Sequence, residues 1–421
     1  MNLSSASSSA PSTAPATAPG AGSGPGASVY VAGAGVICAI GNNIPECLSA
    51  FGSGRAGMGE AKVLETAHQQ EIPVAEVKMS NEELSGLAGL PSGLSRTALL
   101  SMIAAREALN NASIGNIAAL RTGFVSANTV GGMDKTENFF AGFLSDPRSG
   151  KLGAVVNHEC GSITELVADR LNIRHFLTTI STACSSSANA ISFGARLIRS
   201  GRLDVVVAGG TDSLTKFTLN GFNALMILDR QYCQPFDENR RGLNLGEGAG
   251  YVVLVSDRVA ASLDPLCKLS GYCNANDAYH QTASSPDGRG SYLAMKGALE
   301  RSGIRPQDVD YINLHGTGTQ NNDMSEGIAV KRLFDPTYPR MSSTKSATGH
   351  TLGASGGIEA VFSALSVRHG IIYPNLRFEN PMTDLPFVPE TVFLKDQLVR
   401  HVLSNSFGFG GNCSSLIFSK R

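Results

Sequence analysis

The sequence predicts an α/β protein built from two similar halves, and three observations carry that prediction. Runs of Val, Ile and Leu without polar alternation occur in two sets of about five, the pattern of strands covered on both faces. Segments with helical periodicity fill the intervals between them. Charged residues make up only 16% of the 421, below the roughly 25% of ordinary soluble chains. So little charge leaves much of the molecule as interior or subunit interface, which favours an oligomer.

In the first set, β-branched and aromatic residues dominate positions 29–37, 122–127 and 176–181, while 204–208 and 251–256 are nearly continuous Val and Leu. The second set lies at 266–273, 309–314, 340–343, 401–405 and 414–419, and the sets separate at 257–265. Residues 96–112 read as an amphipathic helix presenting Leu99, Met102, Ile103, Ala105 and Leu109. Residues 291–302 repeat the pattern with Leu293, Ala294, Met295 and Leu299, and Gly303 is placed to cap the helix. No short repeat period is present, so a solenoid is not expected. The expected organisation is a tail at 1–28, one half at 29–262 and a second at 263–421.

The first 28 residues are Ser, Ala, Gly, Pro and Thr after Met1, Asn2 and Leu3. Such a stretch buries too little surface to offset its ordering entropy and is expected to be disordered. It lacks the basic start and apolar core of a secretory signal. Residues 176–195 carry no charge, but nine of the twenty are Ser, Thr or Asn, which argues against a membrane span. The eight cysteines show neither Cys-x-x-Cys pairs nor the density of a disulfide scaffold, so a reducing cytoplasm is expected, with seven of them small buried apolar residues. A net charge of −1 provides no general attraction to nucleic acid.

Four segments carry chemistry. In Ile180-Ser181-Thr182-Ala183-Cys184-Ser185-Ser186-Ser187-Ala188-Asn189-Ala190-Ile191 a strand runs through small residues into a helix whose face is Ala188, Ile191, Ala195 and Ile198 and which Gly201 closes. Cys184 thus sits at a helix N-terminus, where unpaired N–H groups and the dipole favour a thiolate; a buried cysteine in a tight turn fits equally well. Asn313-Leu314-His315-Gly316-Thr317-Gly318-Thr319-Gln320 sets an imidazole at a strand end above a loop with two hydroxyls, suited to a polar chain or to a simple structural turn. Residues 342–357 hold Lys345 and His350 among Gly, Ala and Ser, without the order of a P-loop and without a third close metal ligand. Asn405-Ser406-Phe407-Gly408-Phe409-Gly410-Gly411-Asn412 reads as a mobile loop presenting backbone N–H groups and an aromatic gate.

Together and in this order, these segments resemble the elongating β-ketoacyl-acyl-carrier-protein synthases, the condensing enzymes of fatty-acid and type II polyketide synthesis. Val31-Ala32-Gly33-Ala34-Gly35-Val36 and Leu245-Gly246-Glu247-Gly248-Ala249-Gly250 belong to the same resemblance, which runs from Val29 to the C-terminus. It implies the thiolase fold, two duplicated halves in a five-layered α-β-α-β-α arrangement, as a homodimer or as a heterodimer with a second ketosynthase-like chain. Cys184 would be the nucleophile carrying the acyl group, and His315 and His350 the pair that promotes decarboxylation of a malonyl unit. Lys345 would order the site by pairing with Glu326, with Asp323 and Glu326 as organising residues. The N–H groups of Cys184 and Phe409 would form the oxyanion hole, and Phe407, Phe409, Gly410 and Gly411 the gate. Thr317, Thr319, Thr282 and His280 would lie along a phosphopantetheine arm delivered on acyl carrier protein. No metal or tightly bound cofactor is implied.

The chain departs from the family at Asn412-Cys413, at the single arginine in residues 228–234 and at Gly131-Gly132-Met133-Asp134-Lys135. These differences raise polyene or pigment assembly beside fatty-acid elongation. A thiolase would use Cys413 as a second cysteine, whereas His315 and His350 belong to the synthase pattern. A chain-length-factor-like partner would lack the nucleophile, which is present here as Cys184.

Overall fold

The computed structural model describes residues 27–421, so the tail expected at 1–28 lies, but for its last two residues, outside the described residues. One ten-stranded sheet runs through the described chain. Its strands are β1 (Val29–Cys38), β2 (Thr122–Ala127), β3 (Phe176–Ile180), β4 (Val205–Asp212), β5 (Gly248–Ser256), β6 (Cys267–Asn276), β7 (Tyr311–Asn313), β8 (Arg340–Ser342), β9 (His401–Gly408) and β10 (Asn412–Ser419). The spatial order is β8-β7-β9-β10-β6-β1-β5-β4-β2-β3.

That order makes the duplication visible. Read outward from the centre, the first half runs β1-β5-β4-β2-β3 and the second β6-β10-β9-β7-β8, the same permutation twice. The directions repeat as well: β1–β5 and β5–β4 are antiparallel and β4–β2 and β2–β3 parallel, matched by β6–β10, β10–β9, β9–β7 and β7–β8. The halves join through a short antiparallel contact of Tyr30 with Lys268 and Val31 with Cys267.

The helices complete the layers. Helix α1 (Arg96–Ala112) lies on the outer face of the first half. It approaches so closely that a Cβ at Gly33 would fall 2.3 Å from Ala108 O, and one at Gly35 2.2 Å from Ala104 O. Helices α2 (Met133–Ser145), α3 (Ser186–Arg199) and α4 (Lys216–Ala224) follow in the first half. In the second come α5 (Arg289–Ser302), α6 (Gln320–Phe334) and α7 (Ser355–His369). Helices α3 and α7 pack on each other and on strands of both halves, forming the middle layer, while α5 and α6 cover the second half from outside.

The helix expected at 96–112 has those bounds. Helix α5 starts two residues before the expected 291, ends on Gly303 in the left-handed region (φ +69), and leaves Leu293 40% exposed instead of packed. Of the seven cysteines expected to be buried six are, Cys160 being half-buried, and Cys184 is itself buried. Continuous burial holds for β2 and β4, but β3 is the sheet edge and its residues are only partly covered. The largest difference concerns β9 and β10. They extend beyond 405 and begin before 414, pairing to Gly408 with Asn412, so the expected loop is the tip of a tight hairpin. Ladder pairing with β6 as far as Asn276 overrides the poor strand propensity of Gly and Asn there.

Candidate active site

The cysteine turn is tied by its own small polar residues. After β3, Ala183 adopts φ +52, a left-handed backbone that a residue with a Cβ avoids and that marks strain of order 1–3 kcal/mol. The turn is closed by Thr182 N–H donating to Ser186 Oγ at 2.8 Å, Ser185 Oγ donating to Thr182 O at 2.9 Å, and Asn189 Nδ2 donating to Thr182 Oγ1 at 2.9 Å. Cys184 follows, 7% exposed, at the start of α3. The helix end does not by itself yield a thiolate: burial pushes the thiol up to about 11, against the pull of the Lys345 charge and of the N–H groups of Phe409 and Cys184. The hairpin tip that carries Phe409 and the start of α3 lie against each other here. Gly408 makes their approach possible, because a Cβ there would lie 2.9 Å from Cys184 N.

The parallel pair β7 and β8 releases its two loops at one end of the sheet, where loops carry function in such folds. One brings His315, the other Lys345 and His350. The imidazoles stand edge to face, 5.4 Å between centroids at 89°. Lys345 Nζ has three donors and three partners: His315 Nδ1 at 3.2 Å, His315 O at 2.7 Å, and Glu359 Oε1. The partner of Lys345 is thus Glu359 from α7, not Glu326. Glu326 is already engaged, accepting from His315 N–H at 2.9 Å, Gly316 N–H at 2.8 Å and Asn405 Nδ2 at 3.0 Å. Burial raises both carboxyls to about 7, and the Lys345 charge opposes this at Glu359. Glu359 was recognisable in the sequence as the lone charge in the apolar run Ile358-Glu359-Ala360-Val361-Phe362.

Hydrogen bonding sets the tautomers. With all three Lys345 protons committed, His315 Nδ1 accepts, and its proton resides on Nε2. His350 Nδ1 accepts from Leu352 N–H at 3.0 Å, which again leaves the proton on Nε2. Both rings are neutral: burial, then Lys345, lowers His350 to about 3, and burial, Lys345 and His350 hold His315 well below its ordinary range. One ligand-type atom each of Cys184, His315 and His350 lies within 4.8 Å of the others, a spacing that a metal ion could bridge. The tautomers point N–H donors rather than lone pairs into that space, so it suits developing negative charge better than a cation.

A cleft of about 410 Å³ opens over this group, lined by Cys184, His315, His350, Phe409, Thr317 and Thr319 among others. Thr317 Oγ1 and Thr319 Oγ1 bond each other at 2.9 Å, and Asp323 takes the N–H groups of Thr317 at 2.9 Å and Gly318 at 3.1 Å, holding their loop in shape. Thr282 lines the cleft, whereas His280 is exposed outside its lining, its Nδ1 accepting from Thr282 and Ala283 N–H. Of the two phenylalanines, Phe407 is 5% exposed with its ring 5.9 Å from His315, while Phe409 stacks on Phe222 at 5.7 Å. Phe222 carries no sequence signal that separates it from a core aromatic. Gly410 and Gly411 both have φ +74, which explains two glycines at the hairpin tip. Asn412 supports it by donating from Nδ2 to Phe409 O at 3.2 Å.

The matching family models agree with this architecture. Residues 27–260 match the β-ketoacyl synthase N-terminal domain and 266–379 the C-terminal domain. The chain belongs to the β-ketoacyl synthase family, the acyltransferases that build carbon chains by condensation. It is 32% identical over 407 residues to a 3-oxoacyl-acyl-carrier-protein synthase 2 of Staphylococcus aureus, covering 93% of this chain and 98% of that enzyme. Identity to the enzyme of the same name from Rhizobium meliloti is 42% over 278 residues, 62% of this chain and 65% of that one. Among solved structures, the ishigamide ketosynthase/chain length factor superposes with a TM-score of 0.89 at 27% identity, over 94% of this chain and 99% of that one.

Proposed function

We propose that this chain joins a Cys184-bound acyl group to a malonyl unit on acyl carrier protein. The Cys184 sulfur attacks the acyl thioester, its proton passing to the departing carrier thiol, and the N–H groups of Cys184 and Phe409 hold the carbonyl oxygen as it becomes negative. Malonyl-carrier then loses CO2; the Nε2–H groups of His315 and His350 stabilise the enolate oxygen left behind. The enolate carbon attacks the acyl carbonyl, a carbon–carbon bond forms, and Cys184 is released as a thiol with uptake of one proton. Lys345 positions His315 and compels its tautomer. Thr317, Thr319 and Thr282 lie along the pantetheine arm. The convergence of Cys184, His315 and His350 at the floor of one cleft is the observation that carries this reading.

A noncatalytic partner role would leave that assembled group without use. For a thiolase, Cys413 would have to join it; Cys413 lines the same cleft, but it is not in the group whose atoms lie within 4.8 Å of one another, and its sulfur packs against Gly290, where a Cβ would lie 2.8 Å away. A dimer belongs to the proposal, as a homodimer or with a chain-length-factor-like chain. Edge strand β3 has one side unpaired among the described residues and an exposed Leu177, features that call for a covering partner. No helix among the described residues is long and apolar enough to cross a membrane. A cytoplasmic location is part of the same reading, as the cysteine pattern suggested.

The test separates the two half-reactions. His350→Ala is expected to lower malonyl-carrier decarboxylation by at least about 100-fold, while acyl transfer to Cys184 stays within about threefold. Equal loss of both rates would make His350 a structural residue.

A further inference from the structure

The condensation steps leave one buried carboxylate near the reacting groups without a task. Asp212, the last residue of β4, is buried and accepts four hydrogen bonds. Its Oδ1 takes Thr129 N–H at 2.8 Å and Val130 N–H at 3.1 Å, and its Oδ2 takes Thr129 Oγ1–H and Gly353 N–H, both at 2.7 Å. Burial raises the carboxyl to about 6 and these bonds pull the other way, so it is ionised at neutral pH. Three of the bonds hold the loop after β2, in its own half of the chain. The fourth crosses to the second half, three residues past His350.

That fourth bond acts beside the residue that sets the His350 tautomer. Leu352 is held at φ +52, a conformation that costs a residue with a Cβ. From this position its N–H reaches His350 Nδ1 at 3.0 Å. Two contacts hold it there: Leu352 belongs to one apolar cluster with Val130, Leu243 and Leu245, and the next N–H along the chain is taken by Asp212. Gly353 permits that approach, since a Cβ there would lie 2.8 Å from Asp212 Oδ2. The other neighbour of His350 Nδ1, Ser355 Oγ at 3.4 Å, is a hydroxyl that can donate or accept and so imposes no tautomer.

We propose that Asp212 is a positioning residue for His350: by holding Gly353 N–H across the junction of the two halves, it keeps Leu352 N–H on Nδ1 and the His350 proton on Nε2, where the enolate needs it. The inference rests on the reading of the site given above and adds to it a residue that acts through the 352–353 turn. Asparagine is the informative substitution. Its carbonyl can serve only one of the two donor pairs; set on the Thr129 and Val130 N–H groups, it turns the amide toward Gly353 N–H, donor against donor. The Asp212 charge works against a thiolate at Cys184, so its removal gives acyl transfer no reason to slow.

The experiment uses the whole chain with malonyl-loaded and octanoyl-loaded acyl carrier protein. In Asp212→Asn, kcat for malonyl-carrier decarboxylation is expected to fall at least about tenfold with KM within about threefold, while octanoyl transfer to Cys184 also stays within about threefold. Gly353→Ala presses on the same contact from the other side and carries the test if Asp212→Asn folds poorly; its loss should match. The double variant should lie within about threefold of the slower single one, because both break one contact. Thr129→Val removes only the hydroxyl donor and should stay within about threefold of wild type. Nitrogen-15 NMR of histidine-labelled protein, with the His350 signals assigned by their loss in His350→Gln, should show the proton on Nε2 in wild type and partly on Nδ1 in Asp212→Asn. Equal loss of both half-reactions, or an unchanged His350 tautomer beside slowed decarboxylation, makes Asp212 a structural residue and overturns the proposal. Wild-type decarboxylation in Asp212→Asn and Gly353→Ala, with His350→Ala impaired, overturns this inference alone. Wild-type decarboxylation in His350→Ala removes the reading of His350, and the inference with it.

Discussion

Cys184→Ala is expected to abolish acyl loading and condensation, with a loss above about 1,000-fold, and to leave the fold in place. Alanine keeps the Cβ that packs in the turn, and the hydrogen bonds closing that turn belong to Thr182, Ser185, Ser186 and Asn189 rather than to the thiol. The cost in stability should not exceed about 1–2 kcal/mol. Intact-protein mass spectrometry after incubation with acyl-carrier thioesters reads the outcome: wild type gains one acyl group and the variant none. Condensation retained in the variant would remove Cys184 as nucleophile. The identity of the preferred acyl group would in turn distinguish fatty-acid elongation from polyene assembly.

The buried thiol also has a pH signature. Its value is raised to about 11, burial being the leading cause, so the thiolate fraction grows with pH throughout the working range. Alkylation of Cys184 by iodoacetamide should climb about tenfold per unit between about pH 7 and 9. A plateau near pH 8 would mean that the helix end and Lys345 outweigh burial.

Lys345→Met is expected to produce the largest loss of stability. Lys345 and Glu359 have side chains 1% and 3% exposed, and removing one partner leaves the other buried and unpaired, at a cost of about 3–5 kcal/mol. Glu359 Oε2 already has no hydrogen-bond partner among the described residues, so nothing else is available to hold the charge. The carboxyl, at about 7 with the lysine opposing the effect of burial, would rise further without it. A raised folded-state value means stability that is present below the unfolded carboxyl range and lost as pH rises through the folded value. The variant should therefore be less damaged at pH 5 than at pH 8, as urea unfolding would show. Lys345→Met with Glu359→Leu should recover most of the stability but not the activity, because His315 Nδ1 has lost the donor that fixes its tautomer. Recovery of both would reduce Lys345 to a structural role.

Much of this architecture is local in origin and so was legible in the sequence. Continuous Val and Leu runs announce strands buried on both faces, since the signal lies in consecutive residues. The duplicated sets appear for the same reason. Cys184 at a strand-to-helix turn, His315 at a strand end and the glycine-bracketed Phe409 each combine a reactive or donor group with small neighbours, a pattern readable one segment at a time.

What the tertiary structure decided are the choices between groups distant in the chain. The sequence reading paired Lys345 with Glu326, and the outcome depended on which carboxylate was already satisfied: Glu326 by the His315 and Gly316 N–H groups, leaving Glu359 to the lysine. The Cys184 thiol was set by burial under the hairpin rather than by its helix end, and the hairpin itself grew from pairing with β6 that no local propensity contains. The Phe222 stack on Phe409 likewise exists only once α4 is laid beside the hairpin. Sequence by itself singled out the residues that meet at the cleft and most of the elements that hold them. Only the folded chain decided which charges meet and which groups lose water, because desolvation and hydrogen-bond competition are properties of neighbours in space.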